Sequence, residues 1–216
     1  MARAGVEDPG GRVAGMGSEF DAKAATWDDD PAKVERARIV AEAIRAAVPL
    51  DTSTRLLEYG AGTGLVTQML REAVGPVTLA DTSEGMRRRM EEKVAGGVLP
   101  DARVVDLDLA TGPVPDERYD LVVTVMVLHH IVPLGPVLDA FARILDPGGR
   151  LCIVDLEEED GSFHGEGFHG HHGFEPADLT VRLEAAGFTD VAIDRVHRIT
   201  TDGKEYPVFL AVATRP

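Results

Sequence analysis

The sequence predicts an α/β fold, a three-layer sandwich in which helices cover both faces of a mainly parallel sheet. Short apolar runs alternate with segments of helical period from residue 55 onwards, and such alternation is typical of parallel strands joined by crossover helices. A glycine-rich turn follows the first apolar run. Near the C-terminus the Asp202-Gly203 pair is a hairpin signal, which predicts that the last strand is antiparallel.

The elements are expected in the following order. Apolar residues at helical spacing predict a helix that begins at about Pro31 and ends before Pro49. Strands are expected at 55–59, 76–80, 102–107, 119–126, 149–155, 189–197 and 206–214. Further helices are expected at 63–73, 83–94, 134–145 and 175–186. Residues 1–17 lack periodicity, which predicts a disordered tail before one domain at 18–216.

Composition and charge exclude several classes of function. The chain has 216 residues, enough for one substantial core, and 37 acidic against 22 basic residues give a net charge of −15. This balance opposes binding to nucleic acid. No apolar run reaches the roughly 18 residues of a membrane span, and no signal peptide is evident. The single cysteine, Cys152, is expected to be a buried thiol. We therefore expect a cytoplasmic protein without membrane partners.

Residues 55–64, RLLEYGAGTG, carry the most informative motif. It contains an acid, Glu58, and three glycines on alternate positions, Gly60, Gly62 and Gly64. Glycines permit tight turns and close approach of the main chain to a ligand. Leu65 stands where the dinucleotide fingerprint has its third glycine, and no lysine follows as in a phosphate-binding loop. The motif favours a small polar ligand at the first strand-to-helix turn, with an ordinary structural turn as the alternative.

A second acid indicates the class of ligand. Asp81 follows the expected strand 76–80, about 20 residues after the glycine turn, where a carboxylate can accept hydrogen bonds from ribose hydroxyls. The ligand is therefore expected to carry a ribose, whereas a pyrophosphate is poorly provided for.

Four motifs in this order resemble the class I S-adenosylmethionine-dependent methyltransferases, and most closely the small-molecule branch that includes the quinone C-methyltransferases. They read LLEYGAGTG, LADTSEGM, YDLVVTVMVLHHI and ILDPGGRLCIVD. The resemblance runs from about Phe20 to the C-terminus. It implies a Rossmann-like, seven-stranded sheet of order 3-2-1-4-5-7-6, S-adenosyl-L-methionine as cofactor and a small-molecule acceptor. It leaves open whether the protein is a monomer or a homodimer.

The resemblance also implies which residues hold the cofactor. The glycine turn would bind its methionine part, Asp81 its ribose, and Asp108 with Leu109 its adenine, with Asp106 as a competitor for that position. Residues 126–130 would face the sulfonium and the acceptor. The expected cofactor-binding residues are Trp27, Glu58, Gly60, Ala61, Gly62, Gly64, Asp81, Thr82, Met86, Asp108, Leu109 and Met126.

Two segments outside the sheet are expected to complete the site. Residues 18–48 would form an N-terminal lid and helix, in which Trp27 either attracts the sulfonium through its ring face or only anchors the segment. Residues 157–176 would shape the acceptor pocket, with three phenylalanines as apolar walls. These are Phe163, Phe168 and Phe174.

Histidine is the natural base near neutral pH where an acceptor must lose a proton. His130, at the end of the fourth strand, and His172, just before helix 175–186, are the expected catalytic residues. His129 and His130 are alternatively a cap on the strand end. The loop histidines are alternatively solvated, or ligands of zinc or a similar ion, in the set Glu166, His169, His171 and His172. Methyl transfer needs no metal, so no metal site is expected.

Two rival classes of function remain beside methyl transfer. One is a non-catalytic cofactor-binding module of the same fold. The other is a nicotinamide-dependent oxidoreductase, which Leu65 disfavours. Residues 126–129, MVLH, do not resemble the [DN]-P-P-[YF] motif of amino-methylases, so oxygen, sulfur, carbon and other amine acceptors all stay open.

Overall fold

The computed structural model describes residues 16–216. One sheet in this range holds β1 (Leu56–Tyr59), β2 (Val77–Ala80), β3 (Arg103–Val105), β4 (Tyr119–Val125), β5 (Leu145–Leu156), β6 (Thr189–Thr201) and β7 (Lys204–Thr214). The α-helices are α1 (Met16–Lys23), α2 (Pro31–Ala47), α3 (Leu65–Leu70), α4 (Glu84–Ala95), α5 (Gly135–Ile144) and α6 (Pro176–Ala185). Short 3-10 helices lie at Ala24–Asp29, Arg71–Ala73 and Leu128–His130.

The strand order is β3-β2-β1-β4-β5-β7-β6. Neighbouring strands are parallel except in the two pairs that include β7. This confirms the predicted order and the single antiparallel strand. The β6–β7 hairpin turns at Asp202 and Gly203, which have φ values of 49° and 75°, as the turn signal predicted.

Two apolar cores lie on opposite faces of the sheet. Leu56 and Leu57 are adjacent in β1 and both fully buried, yet they belong to different cores, because successive strand side chains point to opposite faces. One core receives α2, α3 and α4, and the other receives α5 and α6. The three-layer arrangement is therefore confirmed.

Several element ends differ from the sequence prediction. The predicted helix 63–73 is shorter because Gly64 has a left-handed φ of 76°, so α3 begins at Leu65 and changes to a 3-10 turn at Arg71. The predicted strand 102–107 ends at Val105, whereas pairing in the final hairpin continues to Thr201 and Lys204. The predicted disordered tail, 1–17, lies outside the described residues except for the first two residues of α1.

Side-chain caps begin the helices that border the carboxyl edge of the sheet. Asp30 accepts a hydrogen bond from the Ala32 N–H at 2.9 Å at the start of α2, and Pro31 follows as predicted. Ser83 accepts from the Met86 N–H at 3.2 Å at the start of α4. Each such cap contributes about 1 kcal/mol.

Cys152 lies in β5 and is fully buried, as predicted. Burial raises the pKa of its thiol to about 12, so the group stays protonated and unreactive. Among the helices of residues 16–216, none combines the length and apolar character that crossing a bilayer requires.

Phe141→Ala should lower the free energy of unfolding by about 3–5 kcal/mol, because it empties a packed site. The ring is fully buried and meets Tyr59 edge-on, with ring centroids 5.3 Å apart. Urea denaturation followed by circular dichroism measures the change. Val181→Ala is the control, because Val181 is 64% exposed and should change stability by no more than about 0.5 kcal/mol. Equal losses in the two variants would contradict this account of the core.

Candidate active site

The candidate site lies where the carboxyl ends of β1, β2 and β4 meet. Strand order reverses between β1 and β4, and ligands of open α/β sheets bind outside such a reversal. The glycine turn follows β1, Asp81 follows β2, and Met126 follows β4. The structure therefore brings these predicted residues to one rim.

The structural reason for glycine differs between positions of the turn. Gly60, Gly62 and Gly64 have φ values of 71°, 57° and 76°, which residues with a Cβ rarely adopt. A Cβ on Gly60 would lie 2.8 Å from Val127 Cγ1 and closer still to Cγ2. A Cβ on Gly62 would meet nothing within 4 Å. Gly60 is thus required by packing, whereas the main chain at Gly62 faces open space that a ligand can enter.

The Asp81 carboxylate closes the turn from the β2 side. Its Oδ2 accepts a hydrogen bond from the Gly62 N–H at 2.8 Å, and its Oδ1 accepts from the Ser83 N–H at 2.8 Å. Burial raises the pKa of Asp81 although both hydrogen bonds oppose the change. Each carboxylate oxygen accepts more than one bond, so Asp81 retains acceptor capacity for hydroxyl groups.

Glu58 lies beneath the turn and supports it from behind. Its side chain is buried, and Oε2 accepts a hydrogen bond from the Thr67 N–H at 3.0 Å in the first turn of α3. Burial raises its pKa to about 7. The carboxyl group therefore ties β1 to α3 and is hidden from solvent.

Asp108 lies in the loop after β3. It accepts a hydrogen bond from the Ala110 N–H at 2.9 Å, and the neighbouring Leu109 N–H donates to Tyr59 Oη at 3.2 Å. Asp106 is exposed and paired with Arg87 at 3.2 Å. Asp108 is engaged as well, because Thr111 donates to it through its main-chain N–H at 3.3 Å and through Oγ1 at 2.6 Å. The assignment of Asp108 rather than Asp106 to the adenine therefore stays a prediction.

The remaining predicted cofactor residues have contrasting environments. Met126 has a φ of 58°, a strained conformation for a residue with a side chain, and such strain is typical of functional sites. Thr82 is exposed, whereas Ala61 and Met86 are buried. Met86 is therefore hidden on the inner side of α4.

Two aspartates fasten the N-terminal segment across the rim. Asp28 accepts a hydrogen bond from Thr63 Oγ1 at 2.5 Å and pairs with Lys93 at 2.7 Å. Asp21 accepts from Ser83 Oγ at 2.5 Å. These contacts hold residues 21–28 beside the glycine turn and the start of α4.

Trp27 is half-buried in this N-terminal segment. The Lys33 ammonium lies 4.0 Å from its ring centroid, and Phe20 meets its edge at 6.0 Å between centroids. Trp27 also packs against the core beneath α2. The ring thus anchors the segment and already has one cation partner, while its contact with a sulfonium stays a prediction.

His129 and His130, which follow β4, form a cluster of three rings with His164 of the loop 157–176. The centroids lie 4.0 Å apart for His129 and His130, 5.0 Å for His129 and His164, and 5.1 Å for His130 and His164. His129 is buried, and its Nδ1 lies 2.5 Å from Asp155 Oδ1. Burial, with the neighbouring His129 and His164, lowers the pKa of His130 to about 3. His130 is therefore neutral at physiological pH.

The loop 157–176 docks on this cluster through main-chain contacts. The His171 N–H donates to the His129 carbonyl at 2.6 Å, and a Cβ on Gly170 would overlap the same carbonyl oxygen. Phe168 stacks on His164 with centroids 3.9 Å apart. Of the three predicted pocket phenylalanines, Phe168 lies at the cluster, whereas Phe174 is buried in the core of α5 and α6.

His172, the second predicted catalytic residue, lies at the solvent side of the loop. Its side chain is 44% exposed, and Nδ1 lies 3.3 Å from Oε1 of Glu159, whose side chain is 5% exposed. Phe168 contacts both His130 and His172, with centroids 5.5 and 5.7 Å apart. The two predicted catalytic histidines are thus separated by one aromatic ring.

Sequence reasoning missed His164, Asp155 and Glu159. Asp155 could have been noticed as an acid near the end of an apolar strand. No local sequence pattern connects His164 with His130. Within residues 16–216, the group of potential metal ligands that the fold assembles is His129, His130 and His164. The alternative set at 166–172 is not assembled there.

Comparison with known proteins establishes the family. Residues 33–193 match the methyltransferase domain family, so the chain belongs to it, and the predicted class I S-adenosylmethionine-dependent methyltransferase resemblance is confirmed. The chain is 33% identical over 147 residues to the biotin biosynthesis bifunctional protein BioCD of Bordetella avium, covering 67% of this chain and 30% of that protein.

Two further comparisons concern branch and fold. The chain is 31% identical over 108 residues to the ubiquinone/menaquinone biosynthesis C-methyltransferase UbiE of Stutzerimonas stutzeri, covering 48% of this chain and 42% of UbiE. The phosphoethanolamine N-methyltransferase 2 of Haemonchus contortus, solved with S-adenosyl-L-methionine, shares the fold with a TM-score of 0.68 and 13% identity, covering 91% of this chain and 60% of that chain. The chain thus spans 30% of the first of these curated relatives and 42% of the second.

Glu58→Gln should raise the free energy of unfolding relative to wild type, and this difference should increase as pH rises. The folded-state pKa of Glu58 is about 7, against an ordinary value of 4.5, so the folded state binds more protons between these values. Wild-type stability is therefore lost as pH rises through this window. The gain should approach roughly 3 kcal/mol at high pH. Urea unfolding of both proteins between about pH 5 and pH 8 measures it.

Glu91→Gln is the matched control for this experiment, because Glu91 is exposed on α4. Because that side chain is exposed, the substitution should change stability by no more than about 0.5 kcal/mol. A Glu58→Gln difference that does not increase with pH would contradict the buried, proton-binding carboxyl group.

Proposed function

We propose that this protein transfers the methyl group of S-adenosyl-L-methionine to a small molecule at the rim formed by β1, β2 and β4. The observation that carries the proposal is the open main chain at Gly62, whose N–H is held by Asp81. This arrangement suits a ligand whose amino-acid part lies on bare main chain and whose ribose meets a carboxylate. Membership of the methyltransferase family supports the same cofactor.

A nicotinamide dinucleotide fits this turn less well. Its pyrophosphate needs a third glycine that lets the helix approach the strand closely. Leu65 stands there and is buried at the start of α3. The cofactor that we propose has no pyrophosphate and does not require that glycine.

The acceptor side is proposed to lie between the N-terminal lid, 18–48, and the loop 157–176. The His130 ring meets Phe20 of the lid at 5.7 Å and Phe168 of the loop at 5.5 Å between centroids. Aromatic rings with a few polar atoms are typical of small-molecule sites. His130 thus contacts both segments at the end of β4, next to the proposed position of the sulfonium.

The reaction needs positioning more than covalent chemistry from the protein. When bound, S-adenosyl-L-methionine would supply an electrophilic methyl group: an electron pair of the acceptor would form the new bond to carbon, and the S–CH3 electron pair would stay on sulfur to give S-adenosylhomocysteine. Alignment of the acceptor with that bond supplies much of the acceleration. The lid would exclude water before transfer.

His172 is our choice of base for acceptors that must lose a proton. The Glu159 carboxylate lies 3.3 Å from Nδ1 and orients the ring. His130 is a poor base, because burial lowers its pKa to about 3. We assign His130 to contact with the acceptor and His172 to proton removal.

The remaining expectations concern assembly and compartment. We expect small molecules as the partners, because the net charge of −15 opposes contact with nucleic acid. We expect the protein to be a monomer or a homodimer. The lone, buried Cys152 suits a reducing cytoplasm.

Gly62→Val should weaken binding of S-adenosylhomocysteine by more than tenfold, because the side chain fills the space in which the ligand approaches the main chain. Calorimetric titration measures the affinity, with a nicotinamide dinucleotide titrated in parallel. Gly97→Val is the matched control: Gly97 also has a positive φ, 74°, with nothing within 4 Å of an added Cβ. Both variants should lose similar stability, on the order of 1–3 kcal/mol.

Two results would contradict the proposed cofactor site. One is an unchanged affinity in Gly62→Val, or the same loss in Gly97→Val. The other is a clear heat signal with the dinucleotide and none with S-adenosylhomocysteine.

His172→Gln should lower kcat by about 10²–10⁴-fold if His172 removes the proton, with little change in cofactor affinity. An acceptor is first found by screening a small-molecule library for release of S-adenosylhomocysteine. His169→Gln is the control, because His169 is an exposed histidine of the same loop. Full activity of His172→Gln with an acceptor that must lose a proton would rule out this role.

A further inference from the structure

We propose that His129, His130 and His164 bind a divalent transition-metal ion beside the proposed acceptor position. One ligand nitrogen from each ring lies within 4.8 Å of the other two. Zinc–nitrogen bonds of about 2.0–2.1 Å place the nitrogens of a tetrahedral site about 3.4 Å apart. The widest pair therefore needs to close by at most roughly 1.4 Å, which side-chain rotation can supply.

His129 has the orientation expected of a metal ligand. Asp155, which is fully buried, lies 2.5 Å from its Nδ1 and also accepts its main-chain N–H at 3.2 Å. Metal-binding histidines commonly donate their second ring nitrogen to such a carboxylate, which fixes the tautomer and the ring direction. With Nδ1 held by Asp155, Nε2 is the nitrogen of His129 that remains for a cation.

His130 supplies a second, independent observation. Its Nδ1 is buried and has no hydrogen-bond partner, and a buried polar atom without a partner is costly. The ring can turn about its Cβ–Cγ bond, so either nitrogen can face the other two rings. A bound cation gives this half-buried imidazole a partner that the protein does not provide.

His164 is the ligand that can adjust. It is exposed, and it lies in a loop whose Gly161, Gly165 and Gly167 have left-handed φ values of 86°, 79° and 86°. Stacking on Phe168 directs its ring towards His129 and His130. Two ligands thus lie on the fixed end of β4, and the third comes from the loop that docks there.

The donor set indicates the class of ion. Three imidazoles suit zinc, copper, nickel or iron, whereas magnesium and calcium prefer oxygen ligands. Three protein ligands leave a coordination position open, as in catalytic zinc sites. If the proposed function is correct, an acceptor hydroxyl or thiol would take that position and lose its proton to His172 more easily. The metal site itself depends only on the three rings.

The test is titration of the full chain, without a histidine tag and stripped by a chelator, with Co²⁺. Binding should produce one equivalent of visible absorption with the intensity of a four-coordinate site, and added Zn²⁺ should displace it. Azide should shift this spectrum if a position is open. His164→Ala should weaken Co²⁺ binding by more than tenfold, and Asp155→Asn by about 10–100-fold.

His169→Ala is the matched control, because it removes an exposed histidine of the same loop from outside the cluster. It should leave Co²⁺ affinity unchanged. Equal losses in His164→Ala and His169→Ala, or a spectrum that stays that of the hydrated ion, would overturn the metal site. Calorimetry with S-adenosylhomocysteine on the same protein separates the two proposals, since intact cofactor binding without Co²⁺ binding would refute the metal site alone.

Discussion

The turn after β1 is held open by the end of β2, and the rest of the site is arranged around this contact. The Gly60 and Ala61 N–H groups both donate to the Ala80 carbonyl, at 2.8 and 2.9 Å, and the Gly62 N–H donates to Asp81. The main chain at Gly62 and the Asp81 carboxylate, which we propose meets the ribose, therefore form one unit. Because three donors converge on two adjacent residues, a shift of β2 relative to β1 would disturb both parts of the proposed cofactor site together.

The site has two halves, each supported by a buried acid. Glu58 ties the glycine turn to α3, and Asp155 fixes His129 at the end of β4. The halves meet where Val127 packs on Gly60, at a distance that leaves no room for a Cβ. This contact places the proposed acceptor side directly against the glycine turn, so the proposed cofactor site and the histidine cluster adjoin at Val127.

The sequence predicted what local residues determine. Alternating apolar runs and the Asp202-Gly203 turn predicted the elements and the antiparallel last strand, and the acids that follow strands predicted the rim. The strand order itself was implied by the family resemblance. It could not predict the histidine cluster, because Asp155 lies 26 residues from His129 and His164 belongs to a loop without periodicity. The length of α3 was wrong because the left-handed Gly64 delays its start. Contacts that depend on tertiary packing, such as that of Lys33 with the Trp27 ring, cannot be predicted from the local sequence pattern.

The aspartate ties of the N-terminal segment have a consequence for the catalytic cycle. Asp21 and Asp28 fasten it through polar contacts to Ser83, Thr63 and Lys93, and Trp27 packs against the core. The Asp28–Lys93 pair is largely buried, with 18% and 9% of the two side chains exposed, so dissolved salt screens it little. If the segment covers the product nucleoside as proposed, release of that product would first require these contacts to break, and ionic strength would change its rate little.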